Sequence, residues 1–412
     1  MRHAITMECD LLRIVRPHSL VMPPQLLGLA ELTFLRNVGS IGNWHVILGR
    51  NLSMNEHDNS LIYSLRLSCK SLVTAALALF LLLGRDALAA PPIAPPPAPP
   101  VADEILLIST RQMGTTCDPN RMEREMDCRR LTFDADGLPT WMTYDWHNLQ
   151  NPSTGTRKTV IYVHGNRVEL GNDVAEGMAV YESLVGARRS GEPLRYIIWS
   201  WPSEQIPGLI KDYKVKAKRT NEVAWQLAWF VDQLPADMPL ALMGYSYGAR
   251  TVSGTMHLLG GGHLNELRFT SRRHPERSPA RVALVAAAFD ADWVVPGEVH
   301  ERALTQIEQM VVVTNRLDPA MRFFRLSTKH SRVDAMGLAG VDHREKLGTA
   351  LNRIRTIDVT HEVGRSHVIY DYLADEPKMT SMWRQLLEDS GDSQSDTIIP
   401  AYAHIRPHTE LK

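Results

Sequence analysis

A single serine stands between two glycines in residues 244–248, whose sequence is GYSYG. An apolar run at residues 240–243 precedes this pentapeptide, and a segment compatible with a helix follows it. A sharp turn from strand to helix requires small residues two positions before and after the serine, and it lifts the serine hydroxyl above the sheet edge. The spacing therefore predicts that Ser246 is a nucleophile, and the chemistry expected of it is acyl transfer.

Acyl transfer from a serine needs hydrogen-bond donors for the oxyanion of the tetrahedral intermediate. A β-branched and aromatic run at residues 158–163 leads directly into His164 and Gly165. A loop after such a strand can supply one backbone N–H, and the residue after the nucleophile supplies another. By position the expected donors are the N–H groups of Asn166 and Tyr247. The alternative is that the His-Gly pair only ends a strand.

The serine turn and the His-Gly loop together resemble those of α/β-hydrolases. More narrowly, the chain is similar to a little-characterised bacterial hydrolase-like group in which a strand ending in Trp-Pro-Ser lies between the two features. The shared motifs are YIIWSWPS at 196–203, DY at 212–213, TNRLDPA at 314–320, AMGLAG at 335–340 and GRSH at 364–367. The resemblance covers residues 104–390 and implies a mainly parallel α/β sheet with helices on both faces. The chain departs from this group at the serine turn, residues 244–248. Tyrosine fills both variable positions there, and the histidine that commonly precedes the serine is absent.

In this fold the catalytic acid follows the serine along the chain and the histidine comes last. Residues 309–314 are typical of a buried parallel strand, and Asp318 lies just past their end. Asp318 is therefore the predicted acid. Asp290 and Asp292, which follow the preceding apolar run at 282–288, are the alternatives, and a simple turn role for Asp318 before proline also stays open.

The predicted base is His367. Residues 354–359 are rich in β-branched side chains, as a strand would be, and His367 lies after a loop containing glycine and before a helix-like segment. His361 and His330 are the alternatives, and a surface role stays open for each. In the predicted mechanism His367 takes the serine proton and the acid fixes the imidazole tautomer.

The first ninety residues have a different character. An apolar stretch at 72–83 follows Arg66 and Lys70 and precedes an A-x-A site ending at Ala89. The stretch is too short to cross a bilayer, so residues 54–89 are predicted to be a secretory signal peptide starting at Met54. Residues 1–53 show no convincing period and are predicted to be an upstream extension that is not native. The alternative is an uncleaved membrane anchor at residues 71–84.

Beyond the A-x-A site the predicted organisation is a proline-rich linker at 90–103, a hydrolase domain at 104–390 and a polar tail at 391–412. Export to the periplasm or the extracellular space would leave Cys117 and Cys128 as the cysteines of the mature chain. An even number in an exported protein favours a disulfide between them, and two free thiols are the alternative.

The composition limits which other classes of function the chain could have. A formal net charge of −1 argues against nucleic-acid binding, and 44% hydrophobic residues can bury a large core. A basic run at residues 211–219 begins an amphipathic segment whose cations are expected to face solvent, with binding to an anionic surface as the less favoured alternative. Residues 321–349 could form a small cover over Ser246.

Together these features predict an exported serine hydrolase that acts on a small-molecule or lipid-like ester through an acyl-enzyme. No metal-ligand spacing or cofactor motif is evident, so no cofactor is expected. The alternative from another class is a non-catalytic envelope binding protein on the same scaffold. The presence of a serine, an acid and a histidine in the order that catalysis requires favours the enzyme.

Overall fold

The computed structural model describes residues 103–134, 136–151, 157–189, 191–270, 276–327 and 333–387, together with two short strands near the N-terminus. The predicted signal peptide with its start at Met54, the anchor at 71–84, the linker up to residue 102, the tail at 391–412 and the candidate base His330 lie outside the described residues. None of the helices in these ranges is both long and apolar enough to cross a bilayer.

The N-terminal strands belong to a unit of their own, Met1–Ala94. Strand β1 (Leu32–Arg36) pairs antiparallel with β2 (Trp44–Leu48). The sequence of residues 1–53 did not predict this hairpin.

The second unit is built on a nine-stranded sheet. Its strands are β3 (Glu104–Ser109), β4 (Asp127–Phe133), β5 (Pro139–Thr143), β6 (Thr159–Val163), β7 (Arg195–Ser200), β8 (Leu240–Tyr245), β11 (Ala280–Val285), β12 (Ile307–Thr314) and β13 (Ile354–Asp358), and a separate small hairpin joins β9 (His263–Leu264) to β10 (Leu267–Arg268). The order across the sheet is β13, β12, β11, β8, β6, β7, β3, β4, β5. Every neighbouring pair from β13 to β3 is parallel, and β4 pairs antiparallel with both β3 and β5.

Helices surround this sheet. They are α1 (Pro119–Glu125), α2 (Asn172–Ala187), α3 (Leu209–Gln233), α4 (Tyr247–Leu259), α5 (Pro319–Ser327), α6 (Met336–Ala339), α7 (Thr360–Val363), α8 (Ile369–Leu373) and α9 (Glu376–Leu387). Turns of 3₁₀ helix lie at Arg111–Met113, Trp146–Gln150, Ala303–Gln306 and Arg344–Arg353.

Alternating side chains of the central strands enter two hydrophobic cores, because successive residues of a strand point to opposite faces. In β6, Ile161 and Val163 pack in the core that contains α3 and α4, whereas Val160 and Tyr162 pack in the core that contains α2, α8 and α9. The central strands are buried throughout, as expected of a parallel sheet covered on both sides. The predicted fold class, a mainly parallel α/β sheet with helices on both faces, is confirmed.

Two local expectations are wrong. Lys216 of the basic run does not face solvent: it is fully buried, because its ammonium group donates to the Glu204 carbonyl and pairs with Asp212 one helical turn earlier. The disulfide is absent, and both thiols are free. Cys128 is buried on β4, whereas the Cys117 sulfur faces the Glu222 carbonyl on α3 at 3.9 Å. Burial raises the pKa of each thiol to about 12.

Candidate active site

Ser246 lies between β8 and α4 in a left-handed backbone conformation with φ of 54°. Its N–H donates to the Val285 carbonyl at 2.9 Å, which ties the turn to the end of the neighbouring strand β11. A Cβ atom at Gly244 would lie 2.5 Å from the Ala249 Cα atom, and one at Gly248 would overlap the Val163 carbonyl. The glycine spacing seen in the sequence is therefore a steric requirement of this turn.

His367 connects Ser246 to Asp318. Its Nε2 atom lies 3.0 Å from the serine Oγ, and its Nδ1 atom lies 2.6 Å from Asp318 Oδ2. The side chain of His367 is 25% exposed, and that of Asp318 is fully buried. The backbone carbonyl of His367 accepts a hydrogen bond from the Tyr245 hydroxyl. The imidazole is thus held at the junction between the interior and the surface.

Asp318 accepts hydrogen bonds from three further donors. The N–H groups of Ala320 and Met321 lie 2.8 and 3.2 Å from Oδ1, so the side chain also caps α5. The Tyr372 hydroxyl donates to Oδ2 at 2.8 Å. Asp318 therefore has both functions considered for it: it begins the turn into α5, and it is bonded to His367. Burial, followed by the charge of Asp318, raises the pKa of Tyr372 above its usual range, which keeps it a donor.

The alternative acids and the described alternative base from the sequence are not bonded to Ser246 or to His367 in the structure. Asp290 forms an isolated antiparallel bridge with Ala335, and Asp292 accepts through its carbonyl from the Val295 N–H. His361 is exposed on α7. The imidazole bonded to Ser246 is that of His367, and the carboxylate bonded to this imidazole is that of Asp318.

The two expected oxyanion donors belong to segments that meet at Ser246. Tyr247 follows the serine, and Asn166 follows Gly165, where a Cβ atom would lie 3.3 Å from the Ser246 Cβ atom. Within the described part of the chain, no hydrogen bond engages the backbone N–H of Asn166 or of Tyr247. Both groups are therefore free to donate to a bound oxygen.

Two buried acids hold the loop that carries Asn166. Asp212 accepts from the Asn166 side-chain amide at 3.2 Å and from the Arg167 Nε atom at 2.7 Å, and Arg167 has a left-handed φ of 61°. Beneath the loop, Glu176 accepts from the Tyr162 hydroxyl and from the Gly165 N–H. Burial raises the pKa of Glu176 to about 7. None of this support was evident in the sequence, because its members are far apart along the chain.

A second cluster of serine, aspartate and histidine lies close by. The Ser200 hydroxyl and the Arg111 Nε atom both donate to Asp173, and another Arg111 nitrogen lies 3.5 Å from His164 Nε2. Ser200, Asp173 and His164 are each at most 1% exposed. Burial and then the charge of Arg111 lower the pKa of His164 to about 4. His164, predicted to begin the oxyanion loop or to end a strand, is neutral and accepts the Trp201 N–H at 3.2 Å.

The Ser246 hydroxyl opens into a small pocket with a volume of about 20 Å³, lined also by Tyr213, Tyr247, Ala288, Met321 and Phe324. Met321 and Phe324 belong to the start of the segment predicted as a cover, and they close one side of the pocket. Within the described residues, no group of three His, Cys, Asp or Glu side chains could hold a metal ion.

No model of a known protein family matches the sequence, and no curated protein matches it. Among solved structures, the chain is similar to an esterase B from Lactobacillus rhamnosis, with 14% identity over 77% of this chain and 93% of that chain and a TM-score of 0.33. It is also similar to a lipase-esterase related protein from Clostridium acetobutylicum, with 10% identity, coverage of 57% and 96%, and a TM-score of 0.27. A third similar structure is a lipase/esterase from Lactobacillus plantarum, with 13% identity over 62% of this chain and 96% of that chain and a TM-score of 0.26. Scores this low carry no conclusion about function.

Proposed function

We propose that the protein hydrolyses carboxylic esters through an acyl-enzyme formed on Ser246. The observation that carries this proposal is the unbroken chain of hydrogen bonds from buried Asp318 through His367 to a serine hydroxyl that opens into a pocket. A serine is a weak nucleophile unless a base takes its proton, and this arrangement supplies the base and the group that orients it.

In the proposed reaction Ser246 Oγ attacks the ester carbonyl carbon while His367 Nε2 removes the hydroxyl proton. The tetrahedral intermediate collapses, and the same proton passes from His367 to the departing alcohol. Water then attacks the acyl carbonyl carbon while His367 removes one of its protons. The second tetrahedral intermediate collapses, the bond from the acyl carbon to Ser246 Oγ breaks, and His367 returns the proton to Oγ as the acid leaves. Asp318 orients the imidazole and stabilises the imidazolium, and its other three hydrogen bonds hold the carboxyl group in place.

The backbone N–H groups of Asn166 and Tyr247 are the proposed donors to the oxyanion. Support comes from the close approach of Gly165 to Ser246, from the place of Tyr247 next to the serine, and from the buried acids that fix the Asn166 loop before substrate arrives. Donors fixed in advance need no reorganisation when the oxyanion forms, so they stabilise it most effectively.

The pocket volume limits the acyl group. The pocket at Ser246 is small, about 20 Å³, and Met321 and Phe324 close one side of it, so a short acid portion, such as acetyl, is expected of the substrate. With p-nitrophenyl esters, we expect kcat/KM for the acetate to exceed that for the octanoate by about tenfold or more, because a longer chain must displace Met321 and Phe324. Ser246→Ala should remove turnover of both esters. A preference for octanoate would contradict the assigned acyl size, and full activity of the Ala variant would contradict the nucleophile.

Export remains part of the proposal. It rests on the apolar stretch at 72–83 and the A-x-A site ending at Ala89. The free thiols remove the support that a disulfide would have given. An N-terminal peptide beginning at Ala90 in natively expressed protein is the expected result. Recovery of residues 71–84 in the mature chain would instead support the membrane anchor.

A further inference from the structure

The fold uses two cations of the basic run at residues 211–219 internally. Lys216 is buried against Asp212, and Arg219 donates to the Pro202 carbonyl. Lys218 is exposed and lines a second cavity of about 380 Å³, together with Asn221, Arg250, Asn265, Trp293 and Val299. This cavity is far larger than the pocket at Ser246, and no acidic side chain lines it.

Arg250 is the central feature of this cavity. Its guanidinium carbon lies 4.6 Å from the centroid of the Trp293 indole, so the cation is held flat against an aromatic face. Its Nε atom is buried and has no hydrogen-bond acceptor within the described part of the chain. Burial lowers the pKa of Arg250, an effect opposed by Tyr247 and Asp290.

Asp290 acts on this charge without forming an ion pair with it among the described residues, and His300 behind the cavity does not neutralise it. Burial, followed by the charge of Arg250, lowers the pKa of His300 well below its usual range, so the ring is neutral. His300 packs on Trp293 with ring centroids 4.7 Å apart, and its Nδ1 atom lies 2.9 Å from Ser253 Oγ. A partly buried cation without a paired anion is costly, and a bound anion would relieve that cost.

We propose that this cavity binds a small organic anion through its carboxylate or phosphate group. The rigid guanidinium of Arg250 suits the geometry of either oxyanion, and Lys218 adds a mobile second charge. The amides of Asn221 and Asn265 can donate to further oxygens, while Trp293 and Val299 offer apolar surface to the body of the ligand. The site is separate from the proposed ester chemistry.

Calorimetric titration of the full chain with inorganic phosphate, and separately with acetate, tests the proposal at constant ionic strength. Saturable binding of at least one anion is expected, and the comparison of the two decides between phosphate and carboxylate. Arg250→Gln should weaken binding by about tenfold or more and Lys218→Gln by about threefold, because each removes a charge-assisted bond. Lys214→Gln is the matched control, since Lys214 is exposed on the same helix and does not line the cavity.

Absence of saturable binding of both anions to the wild-type protein would overturn the proposal, and so would equal weakening by Lys218→Gln and Lys214→Gln. If Arg250→Gln does not fold, the two lysine variants decide the question by themselves. Ser246→Ala should bind the anion as the wild type does, so failure of the proposed hydrolase activity leaves this result unchanged.

Discussion

Two clusters near the carboxyl ends of the central strands contain the same three residue types in different arrangements. In one, His367 lies between Asp318 and Ser246. In the other, Ser200 donates directly to Asp173, and Arg111 lies between this pair and His164. The first serine opens into a pocket, whereas the second is fully buried.

The difference shows that residue types alone do not define a catalytic site. An imidazole activates a serine only when one nitrogen faces the hydroxyl and the other faces an acid. The Ser200 hydroxyl donates directly to the Asp173 carboxylate, and burial, followed by the charge of Arg111, lowers the pKa of His164 and keeps it neutral. We infer that the buried cluster stabilises the fold, while the open cluster performs the proposed chemistry.

Loss of the bridging imidazole should give the largest effect. His367→Ala is expected to lower kcat for ester hydrolysis by about 10⁴-fold or more, because the serine then lacks its base. Steady-state kinetics with p-nitrophenyl acetate measures the loss. His361→Ala is the matched control, since this histidine is exposed on the neighbouring helix α7, and it should leave kcat unchanged.

The acid of the open cluster can be tested in the same assay. Asp318→Asn should lower kcat by a similar or smaller factor, because an amide favours the wrong imidazole tautomer. Asp292→Asn, in the preceding connection, should have little effect. Near-normal turnover in Asp318→Asn together with a large loss in Asp290→Asn or Asp292→Asn would move the acid to that connection.

The buried cluster should respond in stability instead. Asp173→Asn is expected to lower the free energy of unfolding by about 3 kcal/mol, since it leaves the buried Arg111 charge only partly compensated. Denaturant unfolding measures this change, and kcat of the folded variant should stay within about threefold of the wild type. Glu125→Gln, which breaks the exposed pair with Arg121, should change stability little. A large loss of kcat in folded Asp173→Asn would mean that this cluster takes part in the chemistry.

Glu176 lies under the loop that joins the two clusters. Its effect on the free energy of unfolding should be smaller than that of Asp173 and should depend on pH. Its pKa of about 7 in the folded protein lies above the usual value of 4.5. Its contribution to stability is therefore fully present below about pH 4.5 and is lost as the pH rises through 7. Between pH 5 and pH 8 the wild type should lose on the order of 2 kcal/mol more stability than Glu176→Gln. Parallel stability curves for the two proteins would show that Glu176 does not titrate in this range.

Much of the fold could be predicted from the sequence because it depends on local patterns. The glycines around Ser246 mark a turn that only small residues permit, and apolar runs identify β6, β8 and β12. Chain order then selects Asp318 and His367 as candidates. The contacts among Arg111, Asp173 and Ser200 could not be predicted, because they join residues 27 to 89 positions apart without a local signal. The burial of Lys216 and the separation of Cys117 from Cys128 likewise follow from tertiary packing.

Labelling with a fluorophosphonate tests the central claim most directly, because the probe reacts with a serine that a base activates. The folded wild-type protein should be labelled on the peptide that contains Ser246, as read by mass spectrometry. Ser246→Ala should abolish labelling, and Ser200→Ala, which removes the serine of the buried cluster, should retain it. Labelling that persists in Ser246→Ala would place the nucleophile elsewhere, and no labelling of the folded wild type would indicate a binding protein instead of a hydrolase.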